Sequence, residues 1–525
     1  SRARALEVLG MLISASGGAE AMAPHVPAAM AAAAAGFDEE LDYSELREYG
    51  HGLFAETAEA LGERFAPYLP ACLEKARATL ELDDGVVYDS EDERDEARRG
   101  GDGDDSDASD ESESGFGAGI NYSVFSGVVE EKAAACRAVA SYAHSCPEAF
   151  APFVAAFAPT LSAMADHMHD VVRAQAHAAL ARLAQCALRA APLPGTAHLS
   201  HLASVPDASP AFDVVDASLN AAHRALSEDD DRDAVCAAME AAAEVIKSVA
   251  RRDGVDLDAA GAAAGGASGP GAARLHAGKH VEGLATLCLR VLEGRAVCQE
   301  DVDDDVDFRS GEARRETPDD EDEDEEAELG VVVLEGCAEL LPALVAVAGA
   351  NAAAAFEPHF AALARRVQPS RPEGQRSVAY ATLVEMVKAL GASSAVARVA
   401  PVTLAGCIAE ISRAHTAGLR RNCAYCAGVL AELGGEAVAA QREALVAALC
   451  GLLARDSEDG ADWKWAERDA GTRDNAAGAA ARALFAANGA VARDARLGPP
   501  LMDALLAGVP LREDFEECAS AYGGG

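Results

Sequence analysis

The chain has 525 residues, too long for one compact core; half of them are apolar, only 5% are aromatic, and the formal net charge is -43. So large an acidic excess argues against direct contact with nucleic acid or an anionic membrane surface, and favours basic partners. Alanine is the commonest residue and no run of alternating β-branched residues stands out, so an all-α protein is expected.

In chain order, SRARALEVLGML opens at Ser1 already in helical register, which reads as a lone first helix and as the start of a piece of a longer protein. Asp83 to Glu113 then holds 15 acidic and 3 basic residues without apolar periodicity, so residues 83–121 are expected to be an acidic insertion, disordered or loosely ordered. Next come EAFAPFVAAFAPTLSAMADHM (Glu148 to Met168) and DVVRAQAHAALARLA (Asp170 to Ala184), the two amphipathic helices of a hairpin. Pro152 suits the first turn of the former. In the latter Val172, Ala176, Ala179, Leu180 and Leu183 share one face, while Asp170, Arg173, His177 and Arg182 lie off it. The stripe is partly alanine, which lets neighbouring helices approach closely. Residues 254–274 read as a Gly/Ala-rich loop. Residues 300–328, with 17 acidic and 3 basic residues, read as an acidic loop whose densest run is Asp319, Asp320, Glu321, Asp322, Glu323, Asp324, Glu325 and Glu326. Residues 455–471 form an insertion holding both tryptophans, Trp463 and Trp465.

A basic residue recurs near the start of each second helix: Arg2, Arg47, Lys132, Arg173, Arg232, Arg376, Arg420 and Arg473. The shortest intervals match a two-helix repeat of roughly 40–47 residues, and the longer ones are such periods plus insertions. The entry to the first helix recurs as RFAPYLP from Arg64, AFAPFV from Ala149 and AFEPHF from Ala355. A lone pair cannot bury its own apolar face, so stacking into a solenoid follows. About nine pairs after the lone first helix are expected from these markers.

Chemistry is sparse. Most of the thirteen cysteines lie on apolar helical faces (Cys136, Cys186, Cys236, Cys337, Cys407) and read as small hydrophobes in a reducing compartment. CAYC (Cys423 to Cys426) is the one tempting metal or redox motif; zinc would need a second pair nearby, so core packing is favoured. DHMH (Asp166 to His169) falls at a turn between helices and reads as solvated. There is no HExxH, Walker loop, GxSxG or dinucleotide fingerprint, so no catalytic residue, metal or cofactor is expected and an enzyme has no positive support. No apolar run reaches the roughly eighteen charge-free residues of a membrane span, and no signal peptide opens the chain.

An ordered series of stretches resembles the importin-beta (karyopherin) nuclear transport receptors. They are VLEGRAVCQEDVDDDVD (Val291 to Asp307) followed by DDEDEDEEAE, GCAELLPALVAVAG (Gly336 to Gly349), GVLAELGGE (Gly428 to Glu436), TRDNAAGAAARAL (Thr472 to Leu484) and LREDFEE (Leu511 to Glu517). The resemblance covers most of Tyr122 to Tyr522. It implies a right-handed α-solenoid of HEAT repeats and a nuclear import receptor that shuttles between cytoplasm and nucleus as a monomer. The piece resembles the C-terminal half of such receptors, without the N-terminal repeats that bind Ran-GTP and without the last few repeats. Implied partners are basic cargo such as histones or ribosomal proteins, and FG nucleoporins in grooves between first helices. In the family the second helices line the concave face. By position Asp170, Glu385, Asn422, Glu432, Asp474 and Asn475 are cargo candidates, since half-buried cations need paired acceptors. Asp170 with Arg173 can instead form an inter-repeat ladder, the favoured reading of the two, and Asn475 can be a similar member. Trp463 and Trp465 either clamp a lysine stem or pack back on the solenoid. The acidic loop from Asp319 to Glu326 would raise the on-rate of basic cargo. Ser90, Ser106, Ser109 and Ser112 sit in acidic surroundings that suit an acid-directed kinase. The rival reading is a HEAT scaffold organising a phosphatase-type or chromosome-associated complex, which would show apolar edge patches for fixed subunits.

Overall fold

The computed structural model describes residues 2–15, 22–38, 44–83, 87–88, 122–123, 126–191, 209–257, 260–263, 269–299, 320–349, 352–413, 416–458 and 469–522. The chain divides into two units, Ser1–Arg182 and Leu183–Gly525.

The first unit holds α1 (Arg2–Ala15), α2 (Val26–Gly36), α3 (Ser44–Leu61), α4 (Leu69–Leu80), α5 (Ser126–Ser145), α6 (Val154–Met164) and the opening turns of α7 (Asp170–Ala190). After the single helix α1, α2 pairs with α3 and α4 with α5; α3 packs between α1 and α5, so second helix stacks on second helix. Alanines make this possible: Ala133, Ala135 and Ala138 of α5 are fully buried. Val129 of α5 and Val172 of α7 close on one another with Met164 of α6 against them. The long helix expected over Glu148 to Met168 is in fact a short turn of helix at Pro147–Phe150, a 3-10 turn at Ala151–Phe153 and then α6, because Pro152 has no N–H to continue a helix. Inside the acidic insertion, Val87–Tyr88 pair antiparallel with Tyr122–Ser123, with Tyr88 opposite Tyr122. Residues 89–121, with Ser90, Ser106, Ser109 and Ser112, lie outside the described residues.

The second unit continues with α8 (Ala211–Glu228), α9 (Arg232–Arg252), α10 (Pro270–Ala277), α11 (His280–Leu292), α12 (Asp320–Ala348), α13 (Glu357–Arg366), α14 (Glu373–Leu390), α15 (Ser394–Arg413), α16 (Ala417–Leu433), α17 (Arg442–Glu458), α18 (Ala470–Arg493), α19 (Gly498–Gly508) and α20 (Cys518–Tyr522). The pairs are α8/α9, α11/α12, α13/α14, α15/α16 and α17/α18, and the second helices stack in the order α9, α12, α14, α16, α18. The local signals are the expected ones. Asp231 caps α9 by accepting the Ala234 amide at 2.7 Å, and Arg251 and Arg252 close its last turn. Small residues set the helix separation: a Cβ on Gly428 of α16 would come within 2.6 Å of the Ala479 Cα of α18. Helix α18 is broken at Ala486–Gly489, where Ala487, Asn488 and Gly489 take φ of 48°, 56° and 73°.

Three loop boundaries move. Residues 270–274 are helical, because Pro270 opens α10 at the position where its missing N–H costs nothing. Residues 320–328 are helical as well: the backbone of Asp320 to Glu326 belongs to α12. Residues 455–458 extend α17, and 470–471 already belong to α18. Three stretches, Gly330–Ala348, Ser394–Arg413 and Gly435–Ala454, are long and apolar enough by length and composition to cross a membrane. Their apolar residues are core positions of the repeats here, with Leu340, Leu344, Leu404 and Leu449 all buried.

The recurrent arginine has a structural task. At five positions it reaches from the first turn of a second helix into the following repeat. Arg47 grips Glu131 with both arms, at 2.7 and 2.9 Å. Arg232 Nε donates to the Cys298 carbonyl at 2.9 Å, and Arg376 Nη1 to Glu410 at 3.1 Å. Arg420 Nη2 lies 3.5 Å from Asp469, and Arg473 Nη2 donates to the Ala507 carbonyl at 2.7 Å. The Arg47–Glu131 pair is almost wholly out of solvent, and burial holds the Glu131 carboxyl above its ordinary range despite the arginine. Removing one partner strands a buried charge. We expect Arg47→Met to weaken the α3/α5 stack by about 3–5 kcal/mol, and Arg47→Met with Glu131→Leu to recover most of the loss. Hydrogen exchange of the α3 and α5 amides measures both.

A candidate binding surface on the second helices

Within the second unit side-chain contacts join α7 to α9, α9 to α12, α14 to α16 and α16 to α18. Gln185 of α7 donates to Glu244 of α9 at 3.2 Å, and Lys247 of α9 to Glu339 of α12 at 2.6 Å. Asn422 Nδ2 of α16 donates to the carbonyl and hydroxyl of Ser377 in α14, at 3.2 and 3.0 Å. Tyr425 of α16 donates its hydroxyl to Glu385 of α14 at 2.8 Å, and Lys388 stands 3.7 Å from the same carboxylate. The Arg482 guanidinium of α18 lies over the Tyr425 ring at 5.2 Å and 3.7 Å from Glu432. It also grips Glu517 at 2.8 and 3.2 Å. Gly478 leaves the room for that carboxylate, which a Cβ there would strike. Burial, then the neighbouring charge of Asp514, pushes the Glu517 carboxyl up, and Arg482 pulls it back.

The sequence candidates fall into three groups. Asp474 and Asn475 are buried structural groups. Asp474 Oδ2 accepts the amides of Arg512, Glu513 and Asp514 at 2.7–2.9 Å, and Asn475 Nδ2 donates to Asp514 at 2.8 Å and to the Gly471 carbonyl at 2.9 Å. Asn422 is likewise committed to Ser377. Glu385 and Glu432 keep open sides, with 39% and 52% of their side chains exposed. Asp170 is half-buried at the start of α7, where its charge favours the helix N-terminus, while Arg173 donates to the His167 and Met168 carbonyls and closes the turn of its own hairpin. Trp463, Trp465 and Asp319 lie outside the described residues, as does the side-chain placement of Asp320, Glu321, Asp322, Glu323, Asp324, Glu325 and Glu326.

Two carboxylates that sequence reasoning passed over complete the row. Glu244 and Glu339 occupy α9 and α12 as Glu385 and Glu432 occupy α14 and α16, and their side chains are 39% and 55% exposed. The bases that meet these acids are more sheltered: Lys247 is 21% exposed and Arg482 14%. The row therefore turns its negative ends outward. A signal was present, an acidic residue nine or twelve positions after the opening arginine: Glu385 after Arg376, Glu244 after Arg232, Glu432 after Arg420. A groove of about 270 Å³ runs past this row, with Lys247, Arg251, Glu339, Pro342, Glu385 and Lys388 in its walls.

The motifs weighed against a metal are built into the fold. Cys423 and Cys426 are fully buried beside Cys407, whose thiol burial and the two neighbouring thiols hold far above its ordinary range. His167 accepts the His169 amide on Nδ1 at 3.0 Å, so DHMH stabilises the turn before α7. No group of three or more metal-ligating side chains converges among the described residues.

No protein-family model matches the chain. Importin-4 of Mus musculus is 28% identical over 527 residues, and importin-4 of Homo sapiens is 28% identical over 530. Each likeness covers 98% of this chain and 42% of the relative, so the chain spans less than half the length of the curated proteins it matches. Among solved structures, Kap121p superposes with a TM-score of 0.58 at 15% identity, over 95% of this chain and 40% of Kap121p. Kap121p bound to RanGTP does so with a TM-score of 0.58 at 14% identity, over 100% of this chain and 43% of that one. Kap121p has also been solved bound to Nup53p, with a TM-score of 0.56 at 14% identity, over 95% and 40% of the two chains. The resemblance to importin-beta receptors read from the sequence is therefore present in both comparisons, and the fold is the all-α HEAT-repeat solenoid.

The Arg482–Glu517 bond tests the ladder. Arg482→Ala leaves Glu517 buried and unpaired, and we expect a loss of about 3–5 kcal/mol in the protection of α19 and α20 from hydrogen exchange. Glu517 already binds its proton more tightly in the folded chain than a free carboxyl does, so protonation relieves its burial. The deficit of the variant should therefore shrink as the pH falls through the raised pKa of Glu517 towards the ordinary carboxylate range. A deficit that is constant or grows on acidification would contradict this assignment.

Proposed function

We propose that this chain is the cargo-binding part of a nuclear import receptor, and that it acts by binding and not by catalysis. The observation that carries the reading is a likeness to importin-4 along 98% of the chain. The second-helix carboxylates supply a mechanism. Cargo would be a lysine- and arginine-rich segment, of the kind found in histones and ribosomal proteins. Its cations would meet Glu244, Glu339, Glu385 and Glu432 in succession, displacing Lys247 and Lys388 from their present partners. A lysine stem has Pro342 to lie against in the groove between Glu339 and Glu385. The net charge of -43 would raise the encounter rate with such segments, and the run from Asp319 to Glu326 concentrates that field.

In this reading the receptor shuttles between cytoplasm and nucleus as a monomer. FG nucleoporins would bind weakly between first helices. Ran-GTP would release cargo, acting mainly through repeats outside the present sequence. Kap121p, solved with RanGTP and with Nup53p, is the precedent for both kinds of partner.

A labelled lysine-rich histone-tail peptide, titrated against the chain across a salt series, tests the proposal. We expect affinity to fall steeply with salt, and the combined Glu244→Gln, Glu339→Gln, Glu385→Gln and Glu432→Gln variant to bind about tenfold or more weakly. Deleting Asp319 to Glu326 should lower the association rate more than the affinity. No binding at low salt would sink capture by this segment and move weight to a HEAT scaffold.

A further inference from the structure

A basic cluster of this acidic chain lies away from the second-helix carboxylates. At the C-terminal ends of α11 and α13 a cavity of about 330 Å³ is lined by Leu292, Glu293, Arg295, Arg365, Arg366 and Arg371. Four guanidiniums face one carboxylate, a local excess of three positive charges in a chain whose net charge is -43. Glu293 is already shared: Arg365 stands 3.1 Å from one oxygen and Arg295 pairs with the other. Arg366 is committed to the fold, donating to the Leu292 carbonyl at 2.9 Å and to Gln375 at 3.0 Å, so it fixes the cavity wall. Gly294, at φ 70°, turns the chain so that the Arg295 amide bonds back to the Arg290 carbonyl at 2.9 Å and its side chain borders the cavity.

Arg371 is different. It sits in the exposed turn between α13 and α14, and its guanidinium has no hydrogen bond or ion pair among the described residues. Burial, and then the charges of Arg371 and Arg365, hold the Arg366 guanidinium below its ordinary range, so the like charges do crowd one another. Such crowding is relieved by an anion seated among them. Guanidinium forks match a tetrahedral oxyanion with two bonds apiece, and the volume suits a phosphoryl group with a few attached atoms better than a polymer.

We propose that this cavity binds a phosphate-type oxyanion, carried on a phosphorylated side chain or free in solution, with Arg365 and Arg371 as the binding arms and Arg295 adding charge. The ligand is opposite in sign to the basic cargo proposed above, so the two sites stand or fall separately.

Calorimetric titration of the full chain at low chloride tests it. The probes are inorganic phosphate, a short phosphoserine peptide and the same peptide unphosphorylated. We expect one saturable site for phosphate or the phosphopeptide and none for the unphosphorylated peptide. The exposed double variant Arg365→Ala with Arg371→Ala should weaken it by about tenfold or more. Arg496→Ala, an exposed arginine paired with Glu443 elsewhere, should leave it unchanged. Tighter binding of the phosphopeptide than of phosphate assigns the site to a phosphorylated side chain, and equal affinity assigns it to the free anion. No saturable binding of either probe, or binding unaltered in the double variant, overturns the proposal.

Discussion

The arginine that opens a second helix and bonds to the following repeat is the interaction on which the rest of the structure depends. A helix pair with an alanine-rich stripe buries little apolar area per residue, and large buried side chains such as Phe54, Tyr142 and Tyr380 are few along the stack. Arg47, Arg232, Arg376, Arg420 and Arg473 supply that register. The acceptors lie on different kinds of element: a second helix (Glu131), a 3-10 turn (Cys298), the last turns of a helix (Glu410, Ala507) or the residue before the next second helix (Asp469). The staple thus tolerates repeats of unequal length. That is how a chain with long insertions keeps a continuous stack.

The staples sort the carboxylates into two populations. Glu131, Glu410, Asp469 and Glu517 are buried and bound to arginine. Glu244, Glu339, Glu385 and Glu432 sit on the same stack of helices but remain open to solvent, and their basic partners lie deeper. The first group secures the repeats. The second presents negative charge at intervals of one repeat, which suits an extended basic segment better than a compact ligand. A further cluster of positive charge gathers at the ends of α11 and α13.

Helical periodicity in an alanine-rich chain made the all-α stack legible, and the recurrent basic residue marked the second helices except α12, whose opening holds no lysine or arginine. The same residue was only a marker in the sequence, because its acceptors lie 34 to 84 positions away and include backbone carbonyls that no pattern announces. Proline positions were half legible: Pro152 was seen as a helix opener, yet it splits one expected helix into a 3-10 turn and α6. The acidic run at Asp320 to Glu326 was read as loop from its composition, but its backbone belongs to α12. Among the candidates, Asp474 and Asn475 could not be told from Glu385 and Glu432 by residue type. Burial separates them, and burial is set by the turn at Arg512 to Asp514, far along the chain.

The central claim is that the second helices present an acidic row to basic segments while the arginine staples hold them in register. Hydrogen exchange of the chain with and without a saturating lysine-rich peptide tests it most directly. Added protection confined to α9, α12, α14 and α16, and lost when Glu339 and Glu385 are changed to Gln, is the expected result. Protection confined to first helices, or none at saturation, would contradict it.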